Sequence, residues 1–420
     1  MERIKINGFG GLKNAEVQIN NINVFIGKSA SGKSITIKLI YFFKSFFREF
    51  FEAAENEETK SELSKKLLVK FEEFFPFESW NESTFEIIFY YNENDYSKIT
   101  KGSLKSKITI EYSKTVFKQY NNAKRLIKVD KEKFQAKDKF EVYRPDFKVF
   151  ERYINLVKTE LGEKCAYSQI FIPAGRSFFA TLQSSIFSFL SNNKAIDPFL
   201  VEFGSFYENI KGIVTRESIS SKNKTDFKII DDLIIEILGG KYQRIKSKDY
   251  IIHEDKRKIN LAYASSGQQE TLPLALILKA LTKISFTGGG LTLYIEEPEA
   301  HLFPSAQKKV VELIVSVFKL SKCESQIILT THSPYIISSF NNLLQAGLIE
   351  EKSNDEKLYE IVNKLFIIPK NNLNAVSVEK QQFKSILDED FGLIDSEYLD
   401  SISSIISNEF NQLIDFEHEL

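Results

Sequence analysis

Gly27-Lys-Ser-Ala-Ser-Gly32-Lys33-Ser34 constrains this chain more than any other segment. It directly follows the apolar run Ile22-Asn-Val-Phe-Ile26. Apolar residues at helical spacing follow it: Ile37, Ile40, Phe43, Phe47 and Phe51. A strand, a glycine-bearing loop and a helix in that order fit G-x-x-x-x-G-K-[ST]. The glycines permit backbone angles that turn successive N–H groups of residues Gly27, Lys28, Ser29, Ala30, Ser31, Gly32, Lys33 and Ser34 toward phosphate oxygens. The N-terminus of the following helix adds its dipole. Lys33 is expected to reach the β- and γ-phosphates and Ser34 to ligate Mg²⁺. The segment predicts an α/β chain that binds ATP or GTP.

A second segment gives the loop a chemical purpose. Leu291-Thr-Leu-Tyr-Ile295 is an apolar strand ending in Glu296-Glu297-Pro298-Glu299. Glu296 is placed to hold Mg²⁺ directly or through water, and Glu297, aimed differently, to activate an attacking water. Gln326-Ile-Ile-Leu-Thr-Thr331 reads as another strand, and His332 ends it, where ligands gather in parallel α/β sheets. His332 is therefore a candidate contact for the γ-phosphate or the water. Ser265-Ser266-Gly267-Gln268 opens a helix and can present a hydroxyl and backbone N–H groups to an anion, although a helix cap explains it equally well.

The remaining composition excludes more than it assigns. Formal net charge is −1, so no global field draws the chain onto nucleic acid or an acidic membrane. Charge is nevertheless uneven. From Tyr96 to Lys148 there are 15 Lys/Arg against 6 Asp/Glu, and after Lys384 there are 10 acids and no Lys or Arg. Cys165 and Cys323 fit neither a metal spacing nor a disulfide framework, and read as thiols of a reducing cytosol. No signal-peptide core and no membrane-length apolar run is present, which predicts a cytoplasmic protein.

Along the chain, short strands are expected within Ile4–Ile26 and a helix from Lys33 through Phe51. Phe85–Tyr91 and Lys107–Tyr112 read as a hairpin pair, and Ser168–Ile172 as a buried strand. Residues 117–163 are basic, with helical periodicity in the second half. A Phe-rich helix is expected from Ser177 to Leu190, with more helix to Leu238, and a hairpin over Tyr242–Leu261. The expected division is 1–176, 177–250 as a helical lobe, and 251–420 ending in an acidic helical tail.

These segments, in this order, resemble the ABC-type ATPases, and more narrowly their SMC/RecF/OLD-like branch. Gly27–Ser34 matches the Walker A loop and Ser265–Gln268 the signature motif, with Ser266 where the family usually has glycine. Leu291–Glu297 matches Walker B, with Glu296 in place of the usual aspartate. Glu299-Ala-His301-Leu-Phe-Pro304 matches the D-loop region and His332 the switch histidine. The Q-loop glutamine falls in the stretch Gln169–Arg176.

The resemblance implies a P-loop NTPase fold of the ABC-head type, with a mixed sheet, an antiparallel β subdomain and helical insertions. It implies ATP and Mg²⁺ as cofactors and a homodimer that sandwiches two ATP molecules. Each Walker A would face Ser265 and Gly267 of the other subunit. The run Glu296–Pro304 looks like the OLD/RecF side of the branch. No strand pattern after His332 frames Asp388-Glu-Asp390 as a TOPRIM nuclease site, and the acidic cluster reads as surface.

The chain is thus similar to the compact ATPase subunits of anti-phage systems such as PARIS and Septu. That similarity implies a nucleotide-controlled switch for a separately encoded effector. The Phe42–Phe51 stripe and the acidic tail are candidate docking surfaces, with core packing the favoured reading of the stripe. The alternative is a RecF-like DNA-repair ATPase, with Lys98–Lys148 as its DNA-facing surface.

Overall fold

The structure is a computed structural model. It describes residues 1–80, 82–135, 143–181, 196–214, 224–246, 248–284, 286, 289–353, 355–388, 391–395 and 407–414. Its centre is a six-stranded sheet in the order β14-β13-β3-β12-β11-β7. The strands are β3 (Ile22–Ile26), β7 (Ser168–Ile172), β11 (Gly290–Glu296), β12 (Glu324–Thr331), β13 (Leu373–Glu379) and β14 (Gln382–Ser385). Every pairing is parallel except that of β13 with β14. β11 is buried along its whole length, as expected of a strand covered on both faces.

Alternation along these strands divides the interior in two. Phe25, Phe171, Tyr294 and Ile328 face a core shared with a five-stranded antiparallel sheet, order β2-β1-β4-β5-β6. That sheet comprises β1 (Arg3–Asn7), β2 (Ala15–Gln18), β4 (Phe85–Tyr90), β5 (Tyr96–Lys101) and β6 (Thr109–Tyr112). The same core holds α1 (Lys33–Lys44), α2 (Phe46–Glu55), α3 (Lys60–Phe74), α4 (Lys114–Gln135) and α5 (Phe147–Leu161). Val24, Ile172, Ile295 and Leu329 face the opposite core. It is covered by α7 (Pro198–Val214), α8 (Lys224–Leu238), α9 (Ser266–Leu281), α10 (Pro304–Leu320) and α11 (Pro334–Lys352), with a short α6 (Phe178–Thr181) between β7 and α7. A third sheet consists of β8 (Lys241–Ile245), β9 (Lys248–Ile252) and β10 (Lys258–Asn260), in the order β10-β9-β8. The architecture is a mixed α/β P-loop fold.

Several expectations are corrected. The helix after the glycine loop breaks at Ser45, whose Oγ donates to the Phe42 carbonyl at 2.7 Å. A new helix starts at Phe46. Of the two readings of the Phe stripe, core packing, the favoured one, holds: Phe42, Phe43, Phe46, Phe47, Phe50 and Phe51 are all buried. Phe42 meets Phe46 edge to face at 5.0 Å and 83°, whereas Phe43 and Phe46 are tilted at 52°.

The expected Phe85/Lys107 hairpin is a three-stranded meander, because β5 lies between the two segments. Its polar sequence, Tyr-Ser-Lys-Ile-Thr-Lys, hid an alternation in which Ser97, Ile99 and Lys101 point inward. The first half of the basic stretch is also helical, as α4. The hairpin expected within Tyr242–Leu261 carries a third strand, β10 (Lys258–Asn260).

The region after His332 is not simply helical. β13 pairs with β3 and extends the central sheet. Most of the Ser177–Leu190 helix and of the acidic tail, with Glu389 and Asp390, lies outside the described residues.

Candidate functional site

Parallel pairing sets the site. Ile26 is in register with Thr331, Thr330 with Glu296, and Ile295 with Ile172. The four strands therefore end together, and the segments that leave them form one row: Gly27–Ser34, His332, Glu296–Glu297 and Pro173–Ser177.

In the glycine loop, Ala30 (φ 57°) and Gly32 (φ 104°) adopt left-handed backbone conformations. A Cβ on Gly32 would lie 2.9 Å from the Leu12 side chain, so the position tolerates no larger residue without movement. Gly32 is the N-cap of α1, and no side chain caps that helix. The N–H groups of its first turn are therefore left for an anion. The Lys33 ammonium bonds the carbonyls of Gly27 at 2.7 Å and Lys28 at 2.9 Å. Burial lowers its pKa, opposed by the charges of Glu297 and Glu299. Ser34 is half-buried in the same turn.

His332 links this loop to the carboxylates. Its Nδ1 lies 3.5 Å from Lys33 Nζ and its Nε2 3.3 Å from Glu297 Oε1. An ammonium facing Nδ1 requires a lone pair there, which places the ring proton on Nε2, pointing at Glu297. Glu299 holds the histidine from behind. Its Oε1 accepts from the His332 backbone N–H at 2.7 Å and from Thr331 Oγ1 at 2.8 Å. Burial raises the Glu299 pKa, against those hydrogen bonds.

Glu296 and Glu297 differ in environment. Glu296 is buried; its Oε2 accepts from the Ala174 N–H at 3.2 Å, and its Oε1 has no partner among the described residues. Glu297 has left the strand (φ 42°) and is partly open, its side chain 37% exposed. Among the described residues no cluster of three His, Cys, Asp or Glu forms a self-sufficient metal site. Mg²⁺ in nucleotide sites is typically held by one or two protein oxygens and completed by phosphates and water. The orphaned Glu296 Oε1, a hard anionic donor, fits such an ion.

Ser265–Gln268 stand elsewhere. Ser265 caps α9 in a reciprocal box with Gln268, at 3.3 and 3.2 Å. Gln268 Nε2 also donates to the Leu238 carbonyl at 2.7 Å. Their hydrogen bonds, among the described residues, do not reach Gly27–Ser34. Ser265 and Ser266 are exposed, beside Tyr263 at 87% and near Phe303 at 77%. Gly267 lies against the segment Glu299–Pro304, since a Cβ there would meet the His301 carbonyl at 2.7 Å.

The glutamine of the stretch Gln169–Arg176 lies away from the row of strand ends. Gln169 pairs with Thr292, well before the strand end, and its Oε1 accepts from Tyr294 Oη at 2.7 Å. Arg176, at the far end of the same stretch, is fully buried at the row of strand ends. No local pattern assigned it a role of its own. Its one signal was a Pro-Ala-Gly-Arg turn after a buried strand.

The fold and the row of strand-end residues define a P-loop nucleoside triphosphatase architecture. The family described as AAA ATPase domain matches residues 1–337, and the chain belongs to that family. Solved structures similar to it include the SMC head domain from Thermotoga maritima, at 13% identity, 91% coverage of this chain, 97% of that one, and a TM-score of 0.35. An Smc head bound to the C-terminal winged-helix domain of ScpA has 10% identity, 91% and 96% coverage and a TM-score of 0.41. The recombination mediator RecF has 12% identity, 91% and 97% coverage and a TM-score of 0.35. No curated protein matches by sequence. Among the described residues no helix is long and apolar enough to cross a membrane.

Proposed function

We propose that this chain binds ATP with Mg²⁺ and hydrolyses it. The observation that carries the reading is the convergence of Lys33, His332 and Glu297 in one polar chain beside the orphaned Glu296 Oε1. In this scheme Gly27–Ser34 cradle the phosphates, and Lys33 leaves the Gly27 and Lys28 carbonyls for phosphate oxygens. Bound Mg²⁺ would offset phosphate charge. Glu297 takes the proton from the attacking water, and His332, fixed by Glu299, keeps that carboxylate oriented.

The proposal extends to a cytoplasmic homodimer that closes on nucleotide. Ser265 and Ser266 are exposed, and the hydrogen bonds of Ser265 and Gln268 run away from their own glycine loop, which leaves this helix start open to a nucleotide held by a second copy. The closed dimer would act as a switch for a separately encoded effector, and an anti-phage role follows the resemblance to compact ATPase subunits such as those of PARIS and Septu. A DNA-facing role for Lys98–Lys148 is less supported, because Lys98, Lys118 and Lys131 pair with Glu111, Glu160 and Glu57.

The test uses full-length wild type, Lys33→Ala and Glu297→Gln. Wild type should release phosphate from Mg²⁺–ATP, and Lys33→Ala should lose ATP binding by about tenfold to a hundredfold. Native ATP affinity in Lys33→Ala would overturn the site. Tagged Glu297→Gln, expressed in its host, should retain a stoichiometric protein released by Lys33→Ala. Retained DNA with no protein would favour the repair role instead.

A further inference from the structure

Arg176 sits where three parts of the molecule meet, and no part of the scheme above uses it. Its side chain is fully buried. Nη1 donates to the carbonyls of Pro173 at 2.8 Å and Glu296 at 2.7 Å. Nη2 donates to the Glu297 carbonyl at 3.0 Å, and Nε to the Glu270 carbonyl at 3.0 Å. Glu270 is equally buried, in the second turn of α9, the helix that Ser265–Gln268 open. Its carboxylate closes the structure by accepting from the backbone N–H groups of Arg176 at 2.9 Å and Ser177 at 2.7 Å. It also faces the guanidinium at 3.4 Å.

Two consequences follow. Glu297 holds a left-handed backbone conformation, φ 42°, which a glutamate adopts only when its surroundings over-determine it. Arg176 bonds the carbonyls of Glu296 and Glu297, which flank the Glu297 Cα, and so fixes where the Glu297 side chain leaves the main chain. A planar fork with fixed donor directions can grip two adjacent carbonyls in this way, whereas an ammonium is a point donor. The same guanidinium is anchored to α9. The first turns of that helix, which carry Ser265 and Gly267, are thereby joined to the backbone of the proposed hydrolytic carboxylate through one side chain.

We infer that Arg176, clamped by Glu270, is a positioning residue for ATP hydrolysis: it holds Glu297 in its working orientation and ties that orientation to the position of α9. The inference rests on the ATPase reading. Arg176 touches no nucleotide in this scheme, so its loss should act on turnover rather than on ATP binding.

Full-length wild type, Arg176→Lys, Arg176→Met and Glu270→Gln are compared by steady-state ATPase kinetics, fluorescent-nucleotide binding and thermal melting. Arg176→Met and Glu270→Gln should lower kcat by about tenfold to a hundredfold, with nucleotide affinity within about threefold of wild type. Arg176→Lys should recover little of that loss. Glu270→Gln leaves the guanidinium in place and keeps the test open if Arg176→Met does not fold. Wild-type kcat in folded Glu270→Gln or Arg176→Lys would overturn the inference. So would kcat and affinity falling together in step with melting temperature, which is the mark of a packing role alone. A wild-type chain that binds ATP without turning it over would instead overturn the ATPase reading on which the inference rests.

Discussion

His332 Nε2 lies 3.3 Å from Glu297 Oε1, while the other nitrogen of the same ring lies 3.5 Å from Lys33 Nζ. One imidazole thus spans the gap between the glycine loop and the second strand-end carboxylate. Glu297→Gln keeps the size of the side chain and removes its basicity. ATPase turnover should fall by about 10²- to 10⁴-fold with ATP affinity retained. Phosphate release and nucleotide titration on the same preparation check this; unchanged turnover removes Glu297 as the base. His332→Ala should cost less, since it frees the carboxylate without deleting it.

Gly267 offers a way to disturb α9 without touching the glycine loop. Gly267→Ala would place a methyl 2.7 Å from the His301 carbonyl, a backbone atom. Relief requires the start of α9 to move, at a cost of about 1–3 kcal/mol. ATP binding by the monomer should persist, while turnover and nucleotide-dependent dimerisation fall. Light scattering with and without ATP reads the second effect. Wild-type dimerisation would show that this helix start is not part of the subunit contact.

Lys44, at the end of α1, is buried with Glu2 and Gln326. Its ammonium bonds both Glu2 oxygens at 2.8 and 2.9 Å and Gln326 Oε1 at 2.9 Å. Removing one partner of such a pair leaves a buried charge without compensation. Lys44→Met should therefore lower unfolding free energy by about 3–5 kcal/mol. Adding Glu2→Gln should restore part of the loss, because the orphaned carboxylate goes with it. Denaturant melts of both variants measure this, and a double variant no better than the single one refutes the account.

Glu299 predicts a pH dependence. Burial raises its folded-state pKa above the ordinary carboxylate value. The native state then keeps the proton to higher pH than the unfolded chain. Its contribution is full at low pH and declines as pH rises from the ordinary carboxylate range through the raised value. Glu299→Gln keeps an Oε1 acceptor for Thr331 and His332 and cannot ionise. Its melting temperature should vary less with pH across that window than wild type, and exceed it above. A slope identical to wild type would show that Glu299 does not titrate there.

The sequence alone determined the glycine loop, the strand before it, the helix after it and the acidic end of β11. Local rules suffice for these. Backbone angles, strand periodicity and the spacing of Lys33 and Ser34 act within a few residues, and Glu296, Glu297 and His332 each stood at the end of a legible apolar run. The tertiary structure decided what depends on contacts distant in sequence. Amphipathic helices and core helices share one apolar spacing, so burial of Phe42–Phe51 was settled by the antiparallel sheet laid over it. Ser97-Lys-Ile-Thr-Lys101 became a central strand because β4 and β6 flank it on both sides. β13 entered the sheet because β3 offered an unpaired edge. Arg176 carried no local sign of its role, since a guanidinium that holds Glu296, Glu297 and Glu270 together is defined only once β7, β11 and α9 have met.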